Sequence, residues 1–128
     1  MPFVGPGEAL DLPFVDLEAV ARDLGPPPAR ACLVGTPRLR VVLLRWPPGF
    51  VSRPHRHPWA EEIFIVLDGR AVFEIGDEPA REVGPGELVL ALRDVRHAIR
   101  VPAGEPATIL AAVAPNEDRP DETVESDR

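Results

Sequence analysis

Gly49-Phe-Val-Ser-Arg-Pro-His55-Arg-His57-Pro-Trp-Ala-Glu61-Glu62-Ile-Phe-Ile-Val-Leu-Asp-Gly69 is the stretch on which the reading of this chain turns. Two histidines stand two residues apart, a glutamate follows five positions after the second, and glycines bracket the run. The protein has 3 histidines in all, and the third, His97, lies beyond the apolar run Leu88-Val-Leu-Ala-Leu92. On an extended strand, residues i and i+2 project from the same face, so His55 and His57 converge. Over residues 61–67 the same alternation puts Glu62 on a face with Phe64 and Val66 and turns Glu61 the other way. An ionised carboxylate is costly to bury on an apolar face, and a bound cation removes that cost. Imidazole nitrogen and carboxylate oxygen both bind borderline divalent metals, at about 2.0–2.2 Å. His55, His57, Glu62 and His97 are therefore expected to hold one divalent metal ion. An isolated His-x-His would read as two solvated loop histidines; the glutamate and the distant histidine make the difference.

At these residues the chain resembles the cupin superfamily. The first cupin motif runs Gly, five residues, His-x-His, three or four residues, Glu, six residues, Gly. Gly49, His55, His57, Glu62 and Gly69 match it at every spacing. The second motif, Gly-Asp, an apolar run, a Pro-Gly turn, His and a later Asn, is matched by Gly86-Glu87, residues 88–92 and His97. Arg93-Asp94 stands where Pro-Gly is usual, and Val101 where Asn is usual, which implies an altered turn with the ligand retained. The resemblance covers residues 39–113 and implies an all-β fold, a double-stranded β-helix or jelly-roll barrel. It also implies a homodimer.

The surrounding sequence is read the same way. Strands are expected at 30–34, 39–46, 61–67, 70–75, 87–92, 97–101 and 108–113, with short pieces at 50–53 and 81–83. Turn residues separate them, and Asp68-Gly69 is a hairpin signal. One short N-terminal helix is expected over 16–25, capped by Asp16, stopped by Gly25, with Leu17, Val20, Ala21 and Leu24 as its apolar stripe. The organisation that follows is an arm and helix at 1–28, a barrel at 29–114 and a disordered acidic tail at 115–128. Residues 63–67 are apolar on both faces, so one face lines the barrel and the other is covered, in part by a second subunit.

Composition excludes several classes. The 128 residues carry a net charge of −7, which argues against nucleic-acid and anionic-membrane partners. A single cysteine, Cys32, permits no internal disulfide; in its apolar run it reads as a core residue, and the chain as cytoplasmic. The absence of tyrosine disfavours cupin epimerases and thiol dioxygenases that use one. The length excludes two-barrel cupins, and the single helix supplies no helix-turn-helix.

Four ligands leave about two positions free on a six-coordinate metal, an arrangement suited to catalysis or ligand capture. The identity of the ion (iron, manganese, nickel or zinc) is open at this level. The resemblance leads to a metal-dependent oxygenase acting on a small organic compound. A non-catalytic binding or sensing module and a non-redox isomerase or lyase are the alternatives. Trp59 and Phe64 are candidate pocket walls. Arg53, Arg56, Arg96 and Arg100 flank the ligands and read as solvated or salt-bridged.

Overall fold

The computed structural model describes residues 10–11, 13–116 and 122–123. In chain order the elements are β1 (Leu10–Asp11), β2 (Phe14–Val15), α1 (Leu17–Leu24), β3 (Ala29–Thr36), β4 (Leu39–Trp46), β5 (His55–Arg56) and β6 (Glu61–Asp68). There follow β7 (Ala71–Ile75), β8 (Arg81–Val83), β9 (Leu88–Ala91), β10 (His97–Arg100), β11 (Ala107–Ala114) and β12 (Glu122–Thr123). Two five-stranded antiparallel sheets face each other, in the orders β3-β4-β11-β6-β9 and β12-β5-β10-β7-β8. The result is the expected jelly-roll sandwich with one short helix.

Alternation along the strands builds the core. β6 buries Phe64 and Val66 on the face it shares with Glu62, and β11 buries Ile109, Ala111 and Val113. Phe64, Val66, Ile109 and Ala111 join Trp46, Phe73, Ile99 and Val101 in one inner cluster. A second cluster lies outside the first sheet, where Val20 and Leu24 of α1 pack on Ala31, Leu33 and Leu43. Each such side chain taken from water contributes about 1.5–3 kcal/mol. Asp16 caps α1 by accepting from the Ala19 N–H at 3.2 Å. At the other end Arg45 donates to the carbonyls of Gly25 (2.7 Å) and Ala21 (2.8 Å), tying the helix to β4.

Three details differ from the sequence reading. Asp68-Gly69 closes no hairpin: β6 and β7 belong to different sheets, and the turn carries the chain across. Gly69 has φ 76°, and any Cβ there would fall inside contact distance of the Pro106 carbonyl, so glycine is needed for close approach. The strand expected at 50–53 reduces to one bridge, Val51 to Arg100, where Pro54 interrupts the ladder. Cys32 is half-buried on edge strand β3.

Of the expected arm, residues 1–9 and Leu12 lie outside the described residues, while β1 pairs with β2. Of the expected disordered tail, 117–121 and 124–128 lie outside them. Asn116 is tied to the Thr36–Pro37 turn, and Glu122 and Thr123 pair with Arg56 and His55.

Candidate metal centre

Both sheets contribute to the cluster of four. His55 on β5 and His97 on β10 are direct cross-strand partners, and their rings lie 4.3 Å apart. His57 follows β5, its ring 5.2 Å from each of the other two. Glu62 comes from β6 in the opposite sheet. One donor atom from each of these residues lies within 4.8 Å of all the others. Donors on a single ion at about 2.1 Å are about 3–4 Å apart, so small side-chain shifts suffice to close the set.

The backbone orients two of the imidazoles. His55 Nδ1 lies 3.0 Å from the Arg53 carbonyl, and His97 Nδ1 lies 3.0 Å from the Val95 carbonyl. A carbonyl oxygen only accepts, so Nδ1 carries the proton in both rings and Nε2 presents a lone pair to the centre. His97 Nε2 is buried without a hydrogen-bond partner, which is the condition of a ligand atom awaiting a cation. Phe64, 3% exposed, packs between His97 and Phe73, with ring separations of 5.9 and 5.4 Å, and forms an apolar floor.

Glu62 is held ionised. Burial by itself raises its carboxyl pKa, but the hydrogen bond from His57 and the close approach of the His57 and His97 rings outweigh it and bring the value down from 4.5 to about 2. Its Oε1 lies 2.8 Å from His57 Nε2 and 3.5 Å from His97 Nε2. The donor set is thus a fixed anion surrounded by imidazoles, and these residues fit a divalent ion of the borderline kind.

The turn before His97 solves the absence of Pro-Gly. Asp94 adopts φ 67°, a left-handed conformation that Asp tolerates better than most residues. Its N–H donates to the His57 carbonyl at 2.9 Å, and its carboxylate pairs with Arg56 at 3.4 Å. The turn that presents one ligand is thereby fastened to the segment that presents two others. Arg96 pairs with Glu74 at 3.7 Å, while Arg53 and Arg100 are exposed. Trp59 meets His57 edge-on at 6.0 Å and lines an open surface depression of about 400 Å³ with Glu61, Leu92 and Arg93.

An antiparallel jelly roll with three histidines and a carboxylate turned inward defines a β-sandwich with a candidate metal site. More particularly, the chain belongs to the cupin family: the family's model, described as Cupin domain, matches residues 42–113. Dimethylsulfoniopropionate lyase DddQ of Ruegeria pomeroyi is 35% identical in an alignment of length 75 that covers 54% of this chain and 37% of the lyase. The crystal structure of that lyase aligns at TM-score 0.67 and 28% identity, over 75% of this chain and 51% of the other. The chain thus spans about half or less of that relative's length. The polyketide cyclase RemF of Streptomyces resistomycificus aligns at TM-score 0.66 and 29% identity, over 77% of this chain and 72% of the cyclase. A conserved Klebsiella pneumoniae protein with a double-stranded β-helix domain aligns at TM-score 0.71, over 84% of this chain and 95% of that one; at 23% identity this is a likeness of fold.

Proposed function

We propose that this cupin is a metal-dependent enzyme that acts on a small organic compound by polar, non-redox chemistry, as a lyase or isomerase does. The observation that carries the reading is the convergence of His55, His57, Glu62 and His97 across the two sheets, with two imidazoles fixed by backbone carbonyls. A divalent cation held there supplies Lewis acidity, polarising a substrate oxygen or acidifying a water. The chain's own residues do the rest. Glu62 stays ionised and offsets the charge of the ion, His55 and His97 keep their Nε2 atoms aimed at the centre, and Phe64 with Phe73 excludes water from below. Support for polar chemistry over oxygen chemistry comes from DddQ and RemF, which are named as a lyase and a cyclase.

The oxygenase reading is favoured by the count of donors, since four ligands leave room for oxygen and substrate together. One experiment separates the two. Metal-stripped protein is reloaded with zinc, nickel, manganese or iron and offered a panel of small acids and phenolics, with and without oxygen. Turnover under nitrogen with zinc or nickel is expected. Oxygen uptake confined to iron or manganese would install the oxygenase, and saturable binding without turnover would leave a sensing module.

The macromolecular partner we propose is a second copy. Edge strand β9 exposes Leu88 and Leu90 at 57% and 45%, and Leu92 just beyond its end is 51% exposed. Antiparallel pairing about Leu90 sets Leu88 against the partner's Leu92 and Glu87 against the partner's Arg93, so charge and apolar pattern are both self-complementary. Leu90→Arg is expected to halve the mass measured by light scattering; an unchanged mass would remove β9 from the interface.

A further inference from the structure

The inner face of the first sheet carries a second polar group outside the two motifs. Strand pairing sets Arg40 of β4, Val113 of β11 and Glu62 of β6 side by side. Directly opposed residues in an antiparallel sheet project from one face, so Arg40 emerges on the face that carries the Glu62 carboxylate. With strands about 4.8 Å apart, the two Cα atoms are about 10 Å apart. Arg40 is half-buried, and its Nε is shielded from solvent with no hydrogen-bond partner. No carboxylate among the described residues forms an ion pair with it.

A second guanidinium lies on the same face, one strand over and four positions along the register. Arg30 on β3 is paired with Leu44, and Cys32 with Val42, so Arg30 and Cys32 share the inner face with Arg40. Burial and then the charge of Arg40 lower the Arg30 pKa from its ordinary value, with Cys32 acting in the opposite sense. A guanidinium whose Nε is shielded from solvent and unbonded carries a desolvation cost, and an anion brought to Arg40 relieves it.

We infer that Arg40 forms an anion subsite on the same face as the candidate metal centre. It takes the carboxylate of a short organic acid whose other oxygen function lies at the metal. This rests on the metal-dependent reading above and narrows its substrate class to small acids bearing a second oxygen group. Arg40 is a specificity residue in this scheme: it binds the end of the substrate that does not react. Its planar fork suits bidentate recognition of a carboxylate.

The test uses full-length protein loaded with cobalt(II), whose visible spectrum reports ligands entering the metal site, titrated with succinate and with propionate at constant ionic strength. Wild type is expected to bind succinate about tenfold or more tightly than propionate, as loss of a charge-assisted contact would imply. Arg40→Gln is expected to erase that preference with metal content unchanged, and Arg40→Lys to retain part of it. Equal binding of the two acids by wild type, or a preference that survives Arg40→Gln, would overturn the subsite. Absence of bound cobalt in wild type would instead defeat the metal reading. Calorimetry with succinate on the metal-free protein then decides the subsite separately: binding lost in Arg40→Gln supports it, and no binding, or binding unaltered in Arg40→Gln, overturns it.

Discussion

At one end of β11, Val113 stands between Glu62 and Arg40; at the other, Ala107 stands opposite Trp46 and Thr108 opposite Asp68. The same strands therefore run from a polar end to a sealed one. At the sealed end Trp46 stacks on Phe50 with ring centroids 4.3 Å apart, and Gly69 lies against the Pro106 carbonyl. At the polar end a carboxylate, three imidazoles and a guanidinium project from the inward faces, and two of them, Arg40 and His97, keep a buried nitrogen without a hydrogen-bond partner. The difference teaches that stability and chemistry are separated along the strand axis, about 20 Å for strands of 8 residues.

The comparison is broken most severely at Gly69. Gly69→Ala adds a Cβ where a carbonyl already stands, at a positive φ, and is expected to cost about 3–5 kcal/mol, read as a fall in thermal midpoint. Metal content of the protein that remains folded should be unaltered. The converse change is Glu62→Gln or His97→Ala, which should weaken metal binding at least about a hundredfold while the metal-free protein melts above Gly69→Ala. Elemental analysis beside a melting curve reads both arms, and a ligand variant less stable than Gly69→Ala would erase the separation.

Acid provides a smaller effect confined to the polar end. The Glu62 carboxyl has a lower pKa folded than unfolded, so its ionisation stabilises the fold above about 4.5, and that contribution is lost as pH falls toward about 2. Metal-free wild type should therefore lose stability across this window relative to Glu62→Gln, and parallel denaturation curves for the two would refute the assignment. The smallest effect is expected at Asp94. Asp94→Gly relieves the left-handed backbone but removes the pair with Arg56, so stability should change by less than about 1 kcal/mol and metal affinity should hold.

The sequence announces the candidate metal site because His55, His57 and Glu62 sit at short spacings, where alternation along the chain decides which side chains meet. Strands 39–46 and 81–83 are legible to the residue, and most others differ by one or two positions at their ends, where pairing decides the limit more than residue type does. Arg40 is invisible to such reading. It stands 22 positions before Glu62, and only the β4–β11–β6 register brings the two to one level. The Asp68-Gly69 turn misleads for a related reason: the dipeptide specifies a positive φ but not which sheet receives the next strand. The Arg93-Asp94 turn shows that a backbone requirement usually met by glycine can be met by an aspartate that also finds a partner.

His55 and His97 belong to one sheet and Glu62 to the other, so an ion gripped by all of them would clasp the two layers together. Free energy of metal binding then adds to the free energy of folding, by an amount that grows with the logarithm of free metal concentration. In a cell, proteases act on the opened chain, and its population falls as the clasp fills. If such an ion is bound, the lifetime of this protein should track its supply, with degradation fastest during metal starvation, so that the pool contracts when the ion is scarce.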